Sequence, residues 1–164
     1  MKNKPVFKNS KIKFYHKLIN NEAVYKDNSI SRYKKNNMKN DTYDPKDKLK
    51  HLDILREKIN SIRNCELKKS ATNIVFSDGN PKAKIMLIGE GPGSNEDQEG
   101  LPFVGRAGAL LDKMLASIDL NRKNVYITNV VNYRPPENRR PTEEEITKYL
   151  PYLKKHIEII NPKI

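Results

Sequence analysis

With 164 residues the chain has room for one domain of ordinary size, which excludes a separate substrate domain. Hydrophobic residues make up 36%, and 32 Lys+Arg against 20 Asp+Glu leave a formal charge of +12, which favours anionic partners such as nucleic acid. No run approaches the roughly eighteen apolar residues of a membrane span, and a single cysteine, Cys65, excludes an internal disulfide and a self-contained CxxC zinc site.

The charge is uneven. Residues 1–70 hold 19 Lys/Arg and 8 Asp/Glu, whereas residues 71–164 hold 13 and 12. The start, MKNKPVFKNSKIKF, lacks the apolar stretch of a signal peptide, so a cytoplasmic protein is expected. Residues 1–43 are rich in Lys and Asn, with apolar residues too scattered to repay ordering a core. They read as a disordered tail, either a phosphate-attracted DNA tether or a solvated extension. The folded part is expected over 44–164.

Asp44 and Pro45 suit a helix start, and Leu49, Leu52, Leu55, Ile59 and Ile62 follow at spacings of three and four, predicting an amphipathic helix to about Arg63. Residues 73–76 (NIVF) read as a short strand and 78–81 (DGNP) as a turn. The run from Ala83 to Gly89 has the look of a buried parallel strand. Leu110, Leu111, Met114, Leu115 and Ile118 then mark a helix, and Val125 to Val131 marks a second buried strand, which completes one βαβ unit with a right-handed crossover. Three prolines make residues 132–141 (NYRPPENRRP) a loop. Thr142 with Glu145 forms a capping box that opens a helix over about 143–160, and Lys163-Ile164 would begin a third strand.

In an open α/β sheet, ligands bind beyond the carboxyl ends of the strands. Two segments lie there. In the first, GEGPGSNED from Gly89 to Asp97, three glycines let backbone N–H groups approach a ligand beside three carboxylates. No Lys-Ser/Thr follows and GxGxxG is absent, which argues against a phosphate loop and a nucleotide cofactor. Carboxylates beside exposed donors suit a neutral polar ring and an ordered water. The second, GLPFVG from Gly100 to Gly105, holds Phe103, a residue that either stacks on a base or plugs the core. Asn129, at the end of the second strand, either reads a base edge or caps a turn.

Taken together, GEGPGSNEDQEGLPFVGRAGALLDKML, VYITNVVNYRPPENRRP and PYLKKHIEIINPKI resemble the family 4 uracil-DNA glycosylases over roughly residues 60–164. The resemblance implies a three-layer α/β fold with a central parallel sheet, incomplete here, with a first βαβ unit and one further helix. It implies metal-free hydrolysis of the N-glycosidic bond of a flipped uracil in DNA base-excision repair. Glu90, Gly91 and Pro92 would line the uracil pocket, with Glu90 bonding a catalytic water or the pocket backbone. Phe103 would stack on the base, Asn129 would read its edge, and Glu96 would crowd the position of a thymine methyl. Asn129 can donate to uracil O4 and accept from N3–H, a pattern that cytosine reverses. Arg134, Arg139 and Arg140 are candidate phosphate contacts.

Two departures qualify the resemblance. The family's four-iron, four-sulfur cluster has ligand positions that here read Ile62, Cys65, Tyr133 and Tyr149, so the cluster is expected to be lost. The family also continues into a His-Pro-Ser motif whose histidine stabilises the departing uracil anion, and none of His16, His51 or His156 stands at its position. The sequence therefore predicts a truncated member with weak or no activity. The alternatives are a non-catalytic nucleic-acid binding module, and one half of a split enzyme completed by a separate chain.

Overall fold

The computed structural model describes residues 47–164. The expected tail over 1–43 and the helix start at Asp44-Pro45 lie outside the described residues. Helix α1, Lys48–Asn60, buries Leu52, Leu55 and Ile59, the three- and four-residue spacing that the sequence carries, and packs against the last helix. After a short helix α2, Glu66–Ser70, come strands β1 (Asp78–Gly79) and β2 (Ile85–Gly89), helices α3 (Ser94–Glu99) and α4 (Arg106–Ala116), strand β3 (Val125–Asn129) and helix α5 (Glu143–Ile160).

The sheet order is β1-β3-β2, with β2 and β3 parallel and β1 antiparallel to β3. Residues 73–76 are not the strand that their composition suggests. Long-range side chains take up their backbone groups: Asn132 Nδ2 donates to the Val75 carbonyl at 3.0 Å and Thr128 Oγ1 to the Phe76 carbonyl at 2.7 Å. The strand falls instead on Asp78–Gly79, within the expected turn. The turn itself shifts to Asn80–Ala83, where the Ala83 N–H donates to the Asn80 carbonyl. Gly79 has φ +94°, and a Cβ there would stand 2.3 Å from the Val125 carbonyl, so only glycine fits this bridge.

Alternation along β3 sorts the layers. Val125 and Ile127 pack with Leu115 of α4, joined by Ile85, Leu87, Phe103 and Leu111. Tyr126 points the other way, its hydroxyl 2.7 Å from His156 Nε2 of α5. α4 and α5 thus lie on opposite faces of the sheet, the expected three layers. Beyond α5, the Met86 N–H donates to the Ile164 carbonyl at 2.9 Å and the Lys163 N–H to the Lys84 carbonyl at 2.7 Å, so the last residues lie along the outer edge of β2 without forming the expected strand.

The helix marked by Leu110 to Ile118 is present, but its apolar residues divide into two stripes. Leu115 is buried and Leu111 half-buried, whereas Leu110, Met114 and Ile118 are 59%, 59% and 63% exposed. The proline-rich loop holds one 3₁₀ turn, Pro136–Asn138. Among the described residues no helix is long and apolar enough to cross a membrane.

Candidate active site

The connection leaving β2 runs through α4 on one face, and the connection leaving β3 runs through α5 on the other. The carboxyl ends of these two neighbouring strands therefore flank a crevice, the position at which an α/β sheet binds ligands. The ladder pairs Gly89 with Asn129, so both loops spring from one level.

At that level Asn129, Gly89 and Phe103 converge. A Cβ on Gly89 would lie 2.3 Å from Asn129 Oδ1 and 2.8 Å from the Phe103 ring, so the missing side chain is what allows the amide and the ring to meet. Asn129, the last residue of β3, is only 3% exposed. The Phe103 ring packs on the Leu115, Val125 and Ile127 cluster, the core-plugging role that its loop position allowed, and one edge of it lies against Gly89.

Glu90, Gly91 and Pro92 follow directly and line a cleft of about 160 Å³ with Arg139, Arg140 and Pro141 of the proline-rich loop. The walls are close: a Cβ on Gly91 would stand 2.8 Å from Val131 Cγ2. The three arginines differ in their engagements. Arg139 makes a two-pronged ion pair with Glu145 (2.6 and 2.8 Å), which holds the guanidinium charge above its usual range and the carboxyl below it. Arg134 Nε donates to Asn138 Oδ1 at 2.8 Å, and Arg140 is exposed.

Two carboxylates of α3, Glu96 and Asp97, are held by backbone N–H groups. Glu96 Oε1 accepts from the Val104 and Gly105 N–H groups at 3.0 and 2.8 Å, and Oε2 from the Gly93 N–H at 3.1 Å, so one side chain ties the two glycine loops together. Asp97, buried, accepts from the Thr72 and Asn73 N–H groups and anchors the segment before β1. A run of acids does not announce this division of labour. Arg122 and Gly108, which hold Phe103 from behind, were likewise missed: what they meet in this loop are carbonyl oxygens, and carbonyls leave no trace in a residue pattern.

The residues at the iron–sulfur positions do not fit such a cluster. Cys65 Sγ lies 3.2 Å from Tyr149 Oη, the Tyr133 hydroxyl donates to Asn60 Oδ1 at 3.0 Å, and Cys65, Tyr133 and Tyr149 are buried. Burial pushes both phenols above their ordinary pKa, Tyr149 far above, so neither serves as an anionic ligand, and Ile62 offers no donor atom.

With the site described, its class follows: residues 76–164 match the model of the uracil DNA glycosylase superfamily, and the chain belongs to that superfamily. Within it, the chain is 54% identical over 112 residues to the type-4 uracil-DNA glycosylase of Archaeoglobus fulgidus, covering 68% of this chain and 56% of that protein. It is 53% identical over 114 residues to the type-4 enzyme of Sulfurisphaera tokodaii (69% and 52%) and 45% identical over 113 residues to that of Thermotoga maritima (69% and 59%). The chain thus spans a little over half the length of these curated relatives.

Proposed function

We propose that this chain forms the base-recognition half of a uracil-DNA glycosylase-like pocket and acts on uracil in DNA. The observation that supports this best is the convergence of the Asn129 amide and the Phe103 ring on Gly89. In this reading the Asn129 Nδ2 donates to uracil O4 and Oδ1 accepts from N3–H, while Phe103 stacks on the extruded ring. Glu90 contacts the water or the backbone of the pocket, and Glu96, held by three N–H groups, stands as a rigid wall towards the thymine methyl. Arg140 contacts phosphate, with Arg134 and Arg139 beside it once their present partners yield.

None of the described histidines is available to steady a departing uracil anion. His156 is buried against Tyr126 and Phe76, and His51 lies on α1. Removing one such donor typically costs on the order of 3 kcal/mol in transition-state stabilisation, so in this reading the described residues by themselves excise uracil weakly.

The test is abasic-site formation on a uracil-containing single strand, alongside uracil binding, for wild type and Asn129→Asp. The substitution places an acceptor opposite O4, so uracil binding and any turnover should fall at least tenfold. Robust turnover by the chain alone would remove the weak-activity reading, and uracil binding indifferent to Asn129→Asp would remove the pocket.

A further inference from the structure

Phe103 reaches the site in a conformation that its own chemistry disfavours. Its φ is +57°, in the left-handed region where a side chain bearing a Cβ is crowded by its own backbone. Such a residue persists only when its surroundings over-determine it, and two neighbours do so. Helix α4 runs so close that a Cβ on Gly108 would fall 1.7 Å from the Phe103 carbonyl oxygen. Arg122 meets the same carbonyl with one guanidinium nitrogen and the Pro102 carbonyl, at 3.2 Å, with the other.

The guanidinium is itself fixed. It pairs with Asp78 of β1 at 2.6 Å and, through Nε, with Asp112 of α4 at 2.9 Å. All three guanidine nitrogens are thus engaged in a planar fork that joins a strand, a helix and the aromatic loop. We propose that Arg122 is the positioning residue of the aromatic wall: anchored by Asp78 and Asp112, it holds the Pro102–Phe103 backbone so that the Phe103 ring stands over Gly89 and Asn129. The proposal rests on the reading that this wall faces the base, and it adds the residue that sets the ring's place. Arg122 touches no base; it acts through Phe103.

The chain has four phenylalanines, so uniform labelling with fluorophenylalanine gives four fluorine resonances, and Phe103→Leu assigns the one of interest. In the full-length protein, Arg122→Met should shift and broaden the Phe103 resonance and leave that of Phe76, on the opposite face of the sheet, in place. Arg122→Lys keeps the charge but not the fork and should disturb Phe103 in the same way. Titration with uracil, with cytosine as control, should move the wild-type Phe103 resonance, and Arg122→Met should weaken uracil binding about tenfold. In the Phe103→Leu background Arg122→Met should weaken it no further. An unmoved Phe103 resonance in both Arg122 variants would overturn the proposal, as would an equal loss of binding with and without Phe103. If Arg122→Met alone unfolds the chain, the Arg122→Lys spectrum decides. A Phe103 resonance that responds to Arg122 but not to uracil upholds the positioning role and removes the base-binding reading instead.

Discussion

His156 is the residue whose protonation the fold resists most plainly. It stacks on Phe76 at 4.7 Å, accepts from or donates to Tyr126 across 2.7 Å, and burial lowers its pKa to about 4. A histidine lowered in the folded state stabilises fully above its unfolded pKa, about 6.5, and that contribution drains away as pH falls towards 4. The loss should reach on the order of 3 kcal/mol. Urea midpoints measured from pH 7 to pH 4.5 should fall steeply for wild type and less steeply for His156→Gln. Tyr149→Phe removes the hydroxyl that meets Cys65 and should cost about 1 kcal/mol in urea titration, while anaerobically purified wild type should carry neither iron nor sulfide. The sequence showed that three thiolates were missing; that the remaining thiol meets a tyrosine hydroxyl is a fact of packing between residues 84 apart.

At the level of elements, α5 was legible almost to the residue, because its signals are local. Thr142 Oγ1 accepts from the Glu145 N–H at 3.2 Å and Glu145 Oε2 accepts from the Thr142 N–H at 2.7 Å, the reciprocal pair that the spacing announces. Residues 73–76 were misread because Thr128 and Asn132, more than fifty positions later, decide where their backbone bonds go. The proline-rich loop shows the same limit: three arginines look alike in sequence, yet Arg139 is committed to Glu145. In single-stranded DNA binding, Arg140→Ala should therefore reduce the slope of log affinity against log salt by nearly the value of about 0.7 expected for one phosphate contact. Arg139→Ala should reduce it less, since that side chain must leave its carboxylate first. Affinities measured over a salt series separate the two.

For the molecule as a whole, patterning yielded the βαβ unit with its parallel β2–β3 pair, and the family resemblance, not composition, grouped the residues that meet at Gly89. They could not show how the apolar surface would be shared out. Leu110, Met114 and Ile118 continue the periodicity of α4 but face outward, while Leu115 carries the packing. Met114→Glu should accordingly change stability by no more than about 0.5 kcal/mol, and Leu115→Ala should cost about 2–5 kcal/mol, both read from urea unfolding. A large loss from Met114→Glu would mean that this stripe is covered in solution.

The pairing of Gly89 with Asn129 bears on which insertions the protein tolerates. The ladder, not the length of the chain between them, holds the two residues level. Extra residues placed at the exposed turn after α4, around Asp119, would lengthen a surface connection and leave the amide opposite the glycine. One residue added inside β3 would exchange the faces of the strand beyond it, turning Val125-type positions towards α5 and Tyr126-type positions towards α4. A scan of single-residue insertions should therefore divide sharply, silent in the turn and destructive within the strand.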